Sequence, residues 1–138
     1  MIVVDTNVLS EFMRAVPAPA VISWLGRQNL RALATTAITE AELLLGEALL
    51  PLGKRRNELA LAIEKVLGMF ADRILPFDRD AARQLPAVFV QRRAAGFEFK
   101  DADGRIAAIA RVHGAAIATR DTIDFMHCGV DVINPWTD

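Results

Sequence analysis

The sequence predicts an α/β fold: a central, mostly parallel sheet covered by helices on both faces, in three layers. Three observations predict it. Short apolar runs such as Ile2–Val4, Ala32–Thr35 and Ala115–Ala118 alternate with longer segments whose apolar residues recur at helical spacing. Strands joined through helices in this way run parallel, with right-handed crossovers. Carboxylates follow two of these runs, Asp5 directly after Val4 and Asp121 shortly after Ala118. A buried parallel strand delivers such a residue to the carboxyl edge of the sheet, where open α/β folds place their ligands. The 138 residues make one domain, 1–138, long enough to bury its own core.

The elements follow in order. Ile2–Val4 is the first strand, and Thr6 or Asn7 caps a short helix reaching Arg14. Val16-Pro17-Ala18-Pro19 breaks that helix, and another runs from Ala20 to Arg27. Ala32–Thr35 is the second strand. Ala37–Leu50 is helical and stopped by Pro51 and Gly53; Arg55–Phe70 is the next helix. Arg73–Phe77 reads as a strand that leaves the sheet at Pro76. Asp78 then caps a helix toward Ala95, with Pro86 as a kink or interruption. Gly96–Lys100 is a loop, Asp101–His113 a helix closed by Gly114, and Ala115–Ala118 and Val130–Ile133 the last strands.

Composition narrows the function. The apolar fraction is 53% and the mean hydropathy is +0.27. A chain this small cannot hide so much apolar surface inside, which predicts an exposed patch for a partner or a second copy. The net charge of −1 excludes nucleic-acid binding by bulk charge. One cysteine, Cys128, excludes an internal disulfide and suits a reducing, cytoplasmic setting, where it packs as a small apolar residue. His113 and His127 lack zinc-ligand spacing. No run reaches the ~18 apolar residues of a membrane span, and no basic region precedes the first apolar run as in a secretory signal.

The acids carry the chemistry. Asp5 is either a helix cap or a ligand at the sheet edge. Glu42 shares a helical face with Ile38 and Leu45, an apolar stripe on which an acid needs a partner; Glu40 faces the other way, as a solvated acid. Asp103 opens an apolar face with Ile106, Ala107 and Ala110, while Asp101 serves as a cap or pairs with Arg105. Asp121 follows a strand as Asp5 does; Asp124 caps, pairs with Arg120 or acts through a water. Taken singly, each has an ordinary structural reading. Jointly, two acids end strands and two start or line helix faces, so all four can meet at one sheet edge. Converging carboxylates repel unless a cation offsets them, and a hard divalent metal is the simplest.

Asp5-Thr6-Asn7-Val8-Leu9-Ser10, Ile38-Thr39 with Glu42-Leu43, Leu75-Pro76-Phe77-Asp78, Ala102-Asp103-Gly104-Arg105-Ile106-Ala107-Ala108, Thr119-Arg120-Asp121-Thr122 and Asn134-Pro135-Trp136 occur in order along essentially the whole chain. In these stretches the sequence resembles the PIN-domain ribonucleases, within them the VapC-type toxins, and among those the FitB-like branch. The resemblance puts the family's acidic quartet on Asp5, Glu42, Asp103 and Asp121, and its polar helper on Thr6 or Asn7. Some relatives keep the fourth acid at the position of Asp124. What the resemblance implies is an endoribonuclease dependent on Mg²⁺ or Mn²⁺, with Asp5 and Asp103 as direct ligands and Glu42 and Asp121 binding directly or through water. Thr6, Asn7 and Thr119, with Asp124, then orient ligands and waters. It also implies an RNA substrate, a homodimer or higher assembly, a small cognate antitoxin, and operator DNA contacted only through that antitoxin.

For substrate phosphates the candidates are Arg120, Lys100 and Arg105, beside the acidic segments; Lys54–Arg56 reads as a solvated face. Phe97 and Phe99 either stack bases or anchor their loop, the second being the commoner use. Two rival readings stand. A haloacid-dehalogenase-like phosphohydrolase needs a second carboxylate two residues after Asp5, where this chain has Asn7. A non-catalytic RNA- or antitoxin-binding module would keep the fold without turnover, against which the intact acids argue.

Overall fold

A computed structural model describes all residues, Met1–Asp138. Five strands, β1 (Ile2–Val4), β2 (Leu33–Thr36), β3 (Ile74–Leu75), β4 (Ala116–Ala118) and β5 (Val132–Ile133), form one sheet in the order β3-β2-β1-β4-β5. Every pairing is parallel. Six helices fill the connections: α1 (Thr6–Phe12), α2 (Pro19–Gly26), α3 (Ala37–Ala48), α4 (Lys54–Gly68), α5 (Arg79–Ala94) and α6 (Asp101–Val112).

The three layers follow from strand alternation. Val4 and Ala118 point into one core with Val8, Leu9, Trp24, Leu33, Leu43, Ile63 and Leu67, built from α1 to α4. Val3 and Ile117 point the other way, onto Val88, Ile106, Ala107, Ala110 and Phe125. Strand β1, paired on both sides with Val3 and Val4 wholly buried, sits at the middle of everything. Alanines on α6 let that helix lie close to the sheet. Gly104 lets α6 lie against α5: a Cβ there would stand 2.8 Å from the Phe89 ring.

Several boundaries differ from the sequence reading, for local reasons. Asp5, not Thr6 or Asn7, caps α1, its side chain accepting from the Thr6 amide. Strand β3 keeps only Ile74 and Leu75 of the expected Arg73–Phe77, since Pro76 has no N–H for a ladder. Pro86 lies inside a continuous α5. Lys100 holds the N-cap position of α6 without a side-chain hydrogen bond, so Asp101 stands in the first turn and caps nothing. A 3₁₀ turn, Thr122–Phe125, holds the segment after β4, which periodicity could not reveal. Gly114, at φ +60°, turns the chain out of α6 into β4.

The apolar excess does reach the surface. Leu44, Leu45, Leu49 and Leu52 are exposed along and beyond α3, and Leu61 and Val90 on α4 and α5. An apolar cleft of about 230 Å³ is lined by Phe12, Leu25, Leu30, Leu33, Met69 and Phe70.

Candidate acidic active site

Parallel pairing puts the ends of β1, β2 and β4 at one edge, with the starts of α1, α3 and α6 beside them. There a pocket of about 420 Å³ is lined by Asp5, Thr6, Asn7, Ser10, Glu42, Lys100, Ala102, Asp103, Asp121 and Asp124. All four acids of the predicted quartet line it, and Asp124 joins them.

Asp5 is buried at the floor. Its backbone N–H donates to Ala118 O at 2.9 Å, which fixes it to the neighbouring strand. Its Oδ1 accepts from the Thr6 amide at 2.8 Å, and its Oδ2 from the Thr119 hydroxyl at 2.9 Å. Thr119 Oγ1 in turn accepts from Asn7 Nδ2 at 3.2 Å and from the Asp121 amide at 3.1 Å. Asn7 closes the loop: Nδ2 donates to Asp121 Oδ2 at 3.1 Å, while Oδ1 accepts from the Arg120 amide at 3.2 Å. Asn7 and Thr119 thus join α1 to the segment after β4 and aim two carboxylates into the same space. Thr6 Oγ1 donates to Glu42 Oε1 at 2.9 Å and lies 3.2 Å from the hydroxyl of the buried Thr39.

The electrostatics record crowding. Burial raises the Asp5 carboxyl above its usual range; hydrogen bonds from Thr6 and Thr119 oppose this, and repulsion from Glu42 and Asp121 adds to it. Asp103 is pushed up to about 6, first by burial, then by Asp5, Asp124 and Glu42, with only Lys100 acting the other way. Asp103 makes no ion pair. Five carboxylates thus share the pocket with a single cation, Lys100.

Some routes to the pocket differ from expectation. Glu42 and Leu45 are both exposed, so no buried apolar stripe holds Glu42; the start of α3 at the sheet edge and the Thr6 hydroxyl do. Glu40 is half-buried rather than solvated. The expected pairs Asp101–Arg105 and Asp124–Arg120 do not form. Of the three cations considered for phosphate, Lys100 lines the pocket. Arg120 lies over Trp136, at 5.2 Å from the ring centre, and Arg105 over Phe77, at 5.9 Å. Phe97 and Phe99 anchor their loop, on opposite attachments: Phe97 stacks on His127 and Phe99 packs on Phe89. Ser10 and Thr39 were missed as site residues. Ser10 lies one turn beyond Asn7 on α1, a spacing that would have flagged it.

An oxygen-only donor set with unrelieved repulsion fits a hard divalent cation, not zinc. As the side chains stand, no group of three is already disposed to grip one ion. Asp103 and Asp124 are the two whose carboxylates accept no hydrogen bond from the threonines or Asn7.

Comparison with known proteins places the chain. The family profile described as PIN domain matches residues 2–127. The chain is 47% identical over 137 residues to the VapC ribonuclease Y4jK of Sinorhizobium fredii, covering 99% of this chain and 98% of that protein. It is 45% identical over 139 residues to the toxin FitB of Neisseria gonorrhoeae, covering 100% of both. Among solved structures, FitAB bound to an IR36 DNA fragment superposes with a TM-score of 0.92 at 43% identity, over 100% of this chain and 97% of that one.

Proposed function

Since this chain belongs to the PIN-domain family, among its VapC- and FitB-like members, we propose that it is a metal-dependent endoribonuclease and the toxin of a type II toxin–antitoxin pair. The observation that carries the reading is the unneutralised carboxylate cluster at the sheet edge, with Asp103 pushed up to about 6. Asp5, Asp103, Glu42 and Asp121 would hold Mg²⁺ or Mn²⁺, with Asp124 in reach of the same pocket. The chemistry such an ion supplies is Lewis acidity toward water and a phosphodiester.

The protein's own part is orientation. Thr119 fixes the rotamer of Asp5 and, through Asn7, that of Asp121. Thr6 fixes Glu42. Lys100 is the one cation lining the pocket, and in this reading it would hold a nonbridging phosphate oxygen of the substrate. Hydrolysis by water with the 3′-oxygen as leaving group would give a 5′-phosphate and a 3′-hydroxyl, without the RNA 2′-hydroxyl as nucleophile.

The solved FitB relative is seen with FitA on DNA. For this chain we propose a small antitoxin that covers apolar surface, with DNA contact made by the antitoxin. The cleft lined by Phe12, Leu25, Leu30 and Met69 suits apolar side chains of such a partner. The exposed leucines of α3 suit a second copy of the chain. No helix is long and apolar enough to cross a membrane; the proposed place of action is the cytoplasm, where RNA is.

The deciding experiment is cleavage of an end-labelled structured RNA by partner-free protein in Mg²⁺, Mn²⁺ or EDTA, with Asp5→Asn and Asp103→Asn alongside. Metal-dependent cleavage lost in both variants establishes the reading. Tight RNA binding with no cleavage in either metal replaces it with a binding-only module.

A further inference from the structure

Arg92, on α5, is buried at 4% exposure and forms none of the molecule's ion pairs. A buried guanidinium without a carboxylate is costly, and an apolar residue of its size would usually serve a core as well or better. What it touches explains its presence. Nε donates to Glu98 O at 2.9 Å. One terminal nitrogen donates to Ile123 O at 2.7 Å and to Met126 O at 2.8 Å. Its two ring neighbours are Phe97, at 5.0 Å, and Phe99, at 4.5 Å. The backbone carbonyl of Arg92 also accepts from the Phe97 amide at 3.2 Å.

These contacts join two segments far apart in sequence. Residues 97–99 run directly into Lys100 and Asp103. Ile123 lies in the 3₁₀ turn that carries Asp124, Met126 follows it directly and Asp121 precedes it. Asp103 and Asp124 line the same pocket, and neither is held by the Thr6–Asn7–Thr119 lattice that fixes Asp5, Glu42 and Asp121. We propose that Arg92 is a positioning residue for the acidic pocket. Its guanidinium clamps the loop before α6 to the turn after β4, and so sets the separation of Asp103 from Asp124. A guanidinium suits the task because two of its nitrogens, fixed in one plane, each serve one segment; a lysine has one nitrogen for both, and an apolar side chain has no donor.

The inference rests on the proposed metal site for its consequence, but not for its geometry. The test therefore has two arms on the full-length protein. The first, without metal, is amide hydrogen exchange of wild type, Arg92→Lys and Arg92→Met. Joint loss of protection at residues 97–103 and 121–126, with β1 and β2 unchanged, is expected in both variants. Uniform loss across the molecule, or loss in only one segment, overturns the clamp. The second arm is Mn²⁺ affinity by electron paramagnetic resonance, without RNA. Arg92→Met is expected to weaken it about tenfold, as loss of an orienting partner does at metal sites, with Arg92→Lys between. Ile63→Val, in the opposite core, is the stability control and is expected to leave affinity unchanged. Unchanged Mn²⁺ affinity in Arg92→Met, or an equal loss in Ile63→Val, overturns the positioning role. If an Arg92→Ala protein folds, millimolar guanidinium is expected to restore part of the affinity. Failure of wild type to bind Mn²⁺ overturns the metal-site reading, while the exchange arm still decides the clamp.

Discussion

Two carboxylates on helices show opposite treatments. Glu11, on α1, accepts from the Ala18 amide at 2.7 Å and pairs with Arg14 at 3.3 Å; the amide hydrogen bond, then Arg14, hold its carboxyl below the usual range. Asp103, on α6, faces three other acids and is pushed up to about 6. The fold has the means to neutralise an acid and uses them at the α1–α2 corner, where the carboxylate shapes a turn. At the sheet edge one cation, Lys100, stands among five carboxylates, and Asp103 has no ion pair. Stored repulsion at a pocket is what a site that takes up a cation requires.

Removing the charge on the strained side should cost the most activity. Asp103→Asn and Asp5→Asn are each expected to lower RNA cleavage by at least about a hundredfold, measured as initial rate in Mn²⁺, because a direct ligand is lost. Lys100→Glu comes next, with a loss of about tenfold in kcat/KM, the size of one charge-assisted phosphate contact. Arg120→Glu should do less, since Arg120 rests on Trp136; an effect equal to that of Lys100→Glu would undo the placement argument. Thr119→Val should cost about 1–3 kcal/mol in a denaturant melt, because it leaves a buried carboxylate oxygen without its donor, and should lower cleavage with it.

Smallest, and sharpest for the comparison, is the pH dependence of stability. A carboxyl raised in the folded state favours folding when protonated. Relative to Asp103→Asn, wild type should therefore lose stability as pH rises from about 4 through 6, and level off above. For Glu11, with its pKa lowered, the sign reverses: the advantage of wild type over Glu11→Gln is present at neutral pH and disappears as pH falls below about 4. Thermal melts in EDTA across this range measure both. Parallel trends in the two pairs would mean that the contrast is false.

The acids nearest strand ends were the most legible in the sequence. Asp5 and Asp121 follow apolar runs, and a parallel sheet leaves such residues only one edge to occupy. Asp103 was legible through the apolar face behind it, Ile106, Ala107 and Ala110. Glu42 reached the pocket for a different reason from the one its neighbours suggested: Leu45 points outward, and a hydroxyl 36 residues away in sequence holds the acid. Which cations stay near the site was not legible, because Arg120 and Arg105 are drawn off by Trp136 and Phe77, contacts that no local pattern encodes. Arg92 was hidden for a related reason. Its partners are main-chain carbonyls, and any residue type supplies one.

The order of the strands has a consequence for synthesis. Asp5 is among the first residues made, yet its hydroxyl donor, Thr119, lies 114 positions later, and strand β4, beside β1, is made after α6. A nascent chain can fold α1 to α4 early, but the pocket has no complete wall until nearly the whole polypeptide has left the ribosome. A chain cut short before Thr119 carries Asp5, Glu42 and Asp103 but lacks both the hydroxyl donor of Asp5 and the Asp121–Asp124 side of the pocket.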